Sequence, residues 1–222
     1  MRRVLLTTIS LLAFTATAVV AADLPRQMPA KAPAYVPVGY NWTGFYLGIN
    51  GGYAWGRSRW NGFANSTDPS GGMVGGTAGY NWQALGSPWV FGLEGDIDWT
   101  NIKGTFTNIN CPTGCQTKNN WLGTARGRVG YAWDRVMPYI TGGLAVGDIE
   151  ANQFGFAGVH DTKAGWAAGG GVEAALAGNW TAKLEYLHVD LGNINCGALS
   201  CSTPSRVGFH AEEVRAGVNY RF

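Results

Sequence analysis

Three histidines and a group of serines are the side chains best suited to acid–base or nucleophilic catalysis in this sequence. His188 lies at the outer end of a predicted strand, and His160 and His210 lie in predicted loops. The candidate nucleophiles lie beside Cys201 and are Ser200, Ser202 and Ser205. Such chemistry needs a base held against the nucleophile, and neither a GxSxG nor an HExxH motif marks one. We therefore expect no enzymatic activity.

Charged side chains of both signs recur at alternate positions of segments that read as β-strands. They are Glu94, Asp96, Arg126, Arg128, Glu173, Lys183, Glu185 and Arg215. Two carboxylates in such a set could resemble the acid and base of an active site. The neighbouring side chains of opposite charge instead favour a structural role, in which the charges neutralise one another. In the same phase lie glycines that would leave room in a narrow lumen: Gly48, Gly75, Gly92, Gly130, Gly169 and Gly217. The pattern predicts an ion network inside a closed barrel, with a solvated sheet face as the alternative.

The four cysteines form two close pairs in the sequence. Cys111 and Cys115 lie in CPTGC, and Cys196 and Cys201 lie in CGALSC. In an oxidising compartment two local disulfides are the simplest pairing, each stiffening a loop. A zinc site would need thiolates from two distant loops without the usual CxxC spacing, so we expect no metal and no cofactor.

The N-terminus reads as an export signal, residues 1–21. Arg2 and Arg3 precede an apolar stretch, and a run of small residues follows, with cleavage predicted after Ala21 or, alternatively, at Ala16-Thr17-Ala18. Cleavage reduces the 16 Lys and Arg to 14, equal to the 14 Asp and Glu. A net charge near zero argues against nucleic-acid binding. No stretch beyond this signal is long and apolar enough for a membrane helix, and a chain with 13% aromatic and only 14% charged residues is not disordered.

Residues 22–41 form a proline-rich segment between the signal and the first strand. Its prolines recur every four residues, at Pro25, Pro29, Pro33 and Pro37. This spacing prevents helix and central strand and favours an extended periplasmic tether. Contact of the tether with cell-wall polymer is a second hypothesis.

From residue 42 to 222 the sequence alternates between two unlike faces. The alternation predicts eight antiparallel strands in an all-β, up-and-down transmembrane barrel. The strands are expected at 45–55, 72–82, 89–100, 121–133, 137–149, 163–176, 180–190 and 213–222. Short turns alternate with long loops, so all long loops lie at one end; they are Gly56–Gly71, Asn101–Asn120, Glu150–Thr162 and Leu191–Glu212.

The tryptophans indicate which face meets lipid. A soluble sandwich or lipocalin also has one apolar face, but its large rings would lie mid-strand. Here eight tryptophans lie in the apolar phase, mostly at strand ends, as an aromatic girdle requires: Trp55, Trp82, Trp89, Trp99, Trp121, Trp133, Trp166 and Trp180. Four-stranded propeller blades do not fit, because each period of the sequence holds only two long strands.

Several ordered blocks resemble one known family. The blocks include NWTGFYLGINGGYAWG, WVFGLEGDIDW, RGRVGYAWDRVMPYITGGLAVGD and VRAGVNYRF. They are similar to small outer-membrane proteins of alphaproteobacteria, called outer-membrane immunogenic or porin-family proteins, whose barrel is OmpA-like. The resemblance implies an eight-stranded barrel in the cell outer membrane and contacts with outer-membrane lipid and lipopolysaccharide. Roles proposed for members are envelope integrity, surface antigenicity, haemin binding and pore activity.

The C-terminus also resembles the signal that the barrel-assembly machinery reads. Its lipid-phase residues are Val214, Ala216, Val218, Tyr220 and Phe222. The favoured function is a structural barrel whose loops serve as antigens and contact an extracellular ligand. The alternative is a narrow porin or a haemin-binding barrel, for which His160, His188 and His210 are the available imidazoles. An eight-stranded interior is usually filled by side chains, which favours the structural role.

Overall fold

A computed structural model describes residues 39–61, 66–108, 111–153, 159–196 and 205–222. The predicted signal peptide and all but the last three residues of the predicted tether lie outside these ranges, so both stay predictions. The described residues contain no helix that is long and apolar enough to cross a membrane. The strands are β1 (Gly44–Asn61), β2 (Ser66–Thr67), β3 (Ser70–Gln83), β4 (Trp89–Asn108), β5 (Cys111–Tyr131), β6 (Val136–Gln153), β7 (Val159–Ala175), β8 (Trp180–Cys196) and β9 (Ser205–Arg221).

Eight long strands close into a barrel. Every neighbouring pair in chain order is antiparallel, and β1 also pairs with β9 from Tyr46–Arg221 to Asn61–Arg206. The two-residue β2 pairs with the far end of β1. The structure confirms the predicted up-and-down barrel of eight strands. We call the end that carries Gly44 and Arg221 the inner end and the opposite end the outer end.

The barrel is apolar outside and polar inside. On its outer surface Ile49 is 73% exposed and Leu93 is 72% exposed. In the opposite phase Asp98 and Glu213 are fully buried. Because successive strand residues point to opposite faces, this arrangement repeats around the wall and turns the oily side chains away from the interior.

The strands run further outward than the alternation predicted. β4 continues to Asn108 and β5 begins at Cys111, so the predicted loop Asn101–Asn120 is mostly strand. A register shift between Trp99 and Ile102 changes the phase of β4 at this point, and such a bulge hides the period of two. Beyond this point Lys103 and Thr105 are exposed whereas Ile102 is buried, so the sequence no longer alternates between an apolar outer face and a polar inner face, although the ladder continues.

Tight turns join the strands at the inner end. Trp133 and Val136 exchange two backbone hydrogen bonds, of 2.8 and 3.0 Å. Between them Asp134 adopts a φ of 52°, a left-handed conformation that Asp tolerates better than most residues. Gly178 turns the chain from β7 into β8 at a φ of 58°, where glycine carries no steric penalty.

The interior is divided into three layers along the barrel axis. A charged layer lies between two apolar layers. Its members are the charged and acidic side chains Glu94, Asp96, Asp98, Arg126, Arg128, Glu173, Lys183, Glu185, Glu213 and Arg215, all buried. The outer apolar layer consists of Ala54, Met73, Ile102, Leu122, Ala145, Ile149, Ala167, Leu187, Val189, Leu191, Phe209 and Ala211. The inner apolar layer consists of Trp42, Val90, Met137, Tyr139 and Ala175.

Trp42 fixes the chain at the inner mouth before β1 begins. Its backbone N–H donates to Gln83 Oε1 at 2.9 Å and its indole Nε1–H donates to the carbonyl of Asp134 at 3.2 Å. The ring of Tyr40 packs edge-on against Trp42, with 4.9 Å between centroids, and lies under the Arg221 guanidinium. The packed unit therefore begins before residue 42, within the last residues of the predicted tether.

Candidate functional site

The charged layer contains all eight ionisable side chains predicted for the interior, and two more. The additions are Asp98 and Glu213, both with 0% exposure. The layer therefore holds six carboxyl groups and four cationic groups. Buried charges are costly unless they are paired and hydrogen-bonded, so the pairing of each group decides what the layer can do.

Arg126 is the hub of the layer. Its Nη2 lies 2.8 Å from Glu94 Oε1 and 2.8 Å from Asp96 Oδ2, and its Nη1 lies 3.0 Å from Glu185 Oε1. The remaining Nε donates to Thr124 Oγ1 at 2.8 Å. One guanidinium thus links β5 to its neighbour β4 and to β8 across the lumen.

Arg215 bridges the interior from β9. Its Nη1 lies 2.7 Å from both Asp96 Oδ1 and Asp98 Oδ2, and its Nη2 lies 2.5 Å from Glu185 Oε2. A Cβ at Gly75 would overlap the Asp98 carboxylate, so the glycine supplies the space that the sequence pattern indicated.

Arg128 and Lys183 complete the pairing towards the inner end. Arg128 contacts Glu173 Oε2 at 2.5 Å and Glu94 Oε2 at 3.3 Å. Its guanidinium also lies 4.8 Å from the ring centroid of Tyr139, a cation–π contact. Lys183 Nζ lies 2.9 Å from Glu94 Oε1. Glu94 therefore shares its two oxygens among three cations.

Glu213 differs from the other carboxyl groups of the layer. Among the described residues neither of its oxygens has a hydrogen-bond partner. Its cross-strand neighbours are Ala54 on β1 and Leu187 on β8, which belong to the outer apolar layer. This carboxyl group lies at the border between ion pairs and hydrocarbon.

Chemically, the charged layer braces the barrel. Its ion pairs connect strands that are not neighbours in the wall: β5 with β7 and β8, and β4 with β8 and β9. The two apolar layers separate it from both ends of the described interior. Groups that are neutralised and sealed in this way suit a structural role better than a role as acid or base.

Of the candidate catalytic residues, the three histidines lie at the outer end. His188 Nδ1 lies 2.7 Å from Glu212 Oε1, and the His188 and His210 ring centroids are 6.3 Å apart. Ser200 and Ser202 lie outside the described residues, and so does the side chain of Ser205. Among the described residues no three His, Cys, Asp or Glu side chains are arranged to hold a metal ion.

His160 belongs to a separate part of the outer end. Its Nε2 lies 3.6 Å from Asp148 Oδ2, and Asp148 Oδ1 accepts the backbone N–H of Trp121 at 2.9 Å. Nearby on β7, the Lys163 ammonium lies 2.8 Å from the Asp161 carboxylate and lowers the pKa of that carboxyl by hydrogen bonding to it. These contacts hold the outer extensions of β5, β6 and β7.

The predicted girdle tryptophans lie on the outer surface of the wall, near both ends of the strands. Trp99 and Trp133 are 63% and 66% exposed. The C-terminal lipid-phase residues alternate on the same face, ending at the exposed Phe222, whose N–H donates to the carbonyl of Phe45. The cysteine side chains lie outside the described residues, so both disulfides stay predictions.

The family of the chain follows from comparison with known proteins. The profile of the outer membrane protein beta-barrel domain matches residues 9–222. The chain is 40% identical to the 31 kDa outer-membrane immunogenic protein of Brucella melitensis, over 96% of this chain and 97% of that one. It is 33% identical to the 22 kDa outer membrane protein of Rhizobium leguminosarum, over 82% and 79%.

Among solved structures, Neisserial surface protein A resembles this chain at low identity: it is 18% identical and has a TM-score of 0.45, with 81% of this chain and 98% of that chain covered. The closed barrel, its apolar outer surface and the relationships in sequence all indicate an outer-membrane protein. The chain belongs to the outer-membrane β-barrel family of small alphaproteobacterial proteins and is located in the outer membrane.

Proposed function

We propose that this protein is a structural barrel that strengthens the outer membrane and presents its outer strand ends at the cell surface. The observation that carries the proposal is the three-layered interior, in which ion pairs lie between two apolar layers. Side chains packed at both ends of the charged layer leave the wall and the outer end as the surfaces that can interact with other molecules.

The ion pairs supply the rigidity that this role requires. Arg126 and Arg215 each contact three carboxylates, and hydrogen bonds between charged groups are about twice as strong as neutral ones. Local opening of the wall would separate these ion pairs and leave buried charges without compensation. The ion pairs therefore oppose such opening.

Surface presentation is supported by the relatives. Those at 40% and 33% identity include proteins named outer-membrane immunogenic proteins of Brucella. For this chain the recognised parts would be the outer extensions of the strands, such as β4 beyond Thr100 and β5 before Trp121. An extracellular ligand would bind at the same end.

Assembly involves the C-terminal strand in this proposal. Val214, Val218, Tyr220 and Phe222 are exposed on the lipid-facing surface of β9 and just beyond it. A terminal aromatic residue preceded by alternating apolar residues is what the barrel-assembly machinery would recognise. We expect no catalytic step, because every acid of the charged layer except Glu213 is paired with a cation and the layer lies between two apolar layers.

Deletion of the gene tests the role in the cell. We expect increased entry of detergent and of large hydrophobic antibiotics, restored by the wild-type gene, and labelling of intact wild-type cells by antibodies against the outer strand ends. An unchanged barrier together with unlabelled intact cells would contradict the proposal. In planar bilayers the refolded protein should give no steady single-channel steps; regular steps would support the narrow pore instead.

A further inference from the structure

The outer rim of the lipid-facing surface carries a group of ionisable side chains on three neighbouring strands. On β8, β9 and β1 the same face carries ionisable groups at two successive levels of the ladder. The first level contains His188, Glu212 and Trp55, and the second contains Asp190, His210 and Arg57.

These polar groups lie where the apolar band ends. One ladder level closer to the midplane, the lipid-facing residues on the same three strands are Tyr186, Val214 and Tyr53. Trp55 is 44% exposed on that face and marks the interface, where indole rings concentrate. The ionisable groups therefore lie at the depth at which acyl chains give way to head groups.

A concave site lies on this side of the rim. It is a cavity of about 430 Å³ lined by Trp55, Gly56, Arg57, Asp68, His210 and Glu212. Small-molecule sites commonly have volumes of about 300–1,000 Å³. We call it the rim pocket.

The rim pocket combines hydrogen-bond donors and acceptors beside an aromatic ring. Arg57 Nε lies 3.6 Å from Asp68 Oδ1, and both side chains are more than half exposed. Since a guanidinium has five N–H donors, this long contact, the one that Arg57 makes among the described side chains, leaves donors that can bind an anion. Glu212 is held in place, because Tyr186 donates to its Oε2 at 2.6 Å and His188 contacts its Oε1.

We propose that the rim pocket binds the phosphorylated sugar head group of an outer-leaflet glycolipid. Arg57 and His210 would donate to phosphate, a pairing that suits the planar guanidinium. Asp68 and Glu212 would accept hydrogen bonds from sugar hydroxyls, and the Trp55 ring would pack beside the sugar. The inference rests on the outer-membrane location and does not depend on the proposed structural role.

The position of the pocket selects a membrane lipid over a soluble sugar. Arg57, His210 and Glu212 belong to the outward phase of β1 and β9, so the pocket continues the surface that lies against lipid. A glycolipid held there keeps its acyl chains against Tyr53 and Val214 while its head group fills the pocket. A soluble sugar phosphate would gain only the polar contacts.

Binding of diphosphorylated lipid A tests the assignment. The refolded full-length mature chain is placed in phosphatidylcholine nanodiscs that contain increasing fractions of this lipid, and retained lipid is counted by native mass spectrometry. We expect the double variant Arg57→Gln and His210→Gln to bind roughly tenfold more weakly, as loss of a charge-assisted hydrogen bond predicts. Monophosphorylated lipid A should bind the wild type more weakly and show a smaller difference between wild type and variant.

Lys118→Gln is the matched control. Lys118 is a cation in the outer part of β5, and two strands, β3 and β4, separate it from β1, so its loss should leave lipid A binding unchanged. An equal loss in this control, or none in the double variant, would overturn the proposal. Glucosamine 1-phosphate in solution should compete only weakly; full competition at similar concentration would assign the pocket to soluble sugars. Unchanged heat-modifiability on gels shows that each variant is folded.

Discussion

The charged layer and the outer apolar layer are equally buried but are stabilised differently. Arg126 and Leu187 are 2% and 0% exposed, yet the first depends on oppositely charged partners and the second on filled volume. In the charged layer stability depends on which atoms meet, because an unpaired buried charge is costly. In the apolar layer it depends on how completely the space is occupied. The two layers should therefore respond differently to comparable substitutions.

Arg126→Met should have the largest effect. The substitution approximates the length of the side chain but leaves Glu94, Asp96 and Glu185 without their shared cation. Breaking a buried pair typically costs about 3–5 kcal/mol. We expect a loss of that size in the free energy of unfolding, measured by urea titration in detergent micelles. Lys163→Met, at an exposed ion pair, is the control; equal losses in both variants would contradict the role of the hub.

Leu187→Ala should destabilise the barrel by a different route. Removal of a fully buried leucine leaves a cavity, at a cost of about 2–5 kcal/mol. Leu184→Ala on the same strand provides a matched control, because Leu184 is 59% exposed on the lipid-facing surface. The same titration should show a clearly smaller loss for Leu184→Ala. Similar losses would mean that the outer apolar layer is not tightly packed.

Glu213→Gln should have the smallest effect. This carboxyl group has no described hydrogen-bond partner, so a neutral amide of similar shape removes little and relieves a buried acid. We expect stability within about 1 kcal/mol of the wild type or above it. Glu185→Gln is the comparison, since Glu185 contacts both Arg126 and Arg215 and should lose more. A larger loss for Glu213→Gln would reveal a partner for this carboxyl.

The sequence was informative where a strict period of two connects each residue with a face. Alternation predicted the barrel and the eight strands, and it assigned Glu94 and Arg126 to the phase that the structure places inside. It did not predict which groups meet. The contact of Arg215 with Asp98 depends on the tilt and stagger of β9 and β4, which a single strand pattern does not determine.

The outer apolar layer was not predicted, although a signal for it exists. On β8 the interior phase changes from Lys183 and Glu185 to Leu187, Val189 and Leu191. Because the interior phase is polar at the inner part of the strands, the prediction extended this polarity along their whole length and missed the apolar residues. Glu213 was missed as an interior charge for a related reason: it lies at the start of the predicted last strand, where the phase has few residues to define it. The bulge after Trp99 similarly concealed Ile102.

The seam between β1 and β9 has a consequence for biogenesis. These are the first and last barrel strands to leave the ribosome, yet they share a ladder from Tyr46–Arg221 to Asn61–Arg206. Until the final residues arrive, the sheet has two unpaired edges, and such edges invite pairing with other chains. The nascent polypeptide must therefore cross the periplasm with its joining surfaces shielded, and its hydrogen-bonded wall becomes continuous only after translation is complete.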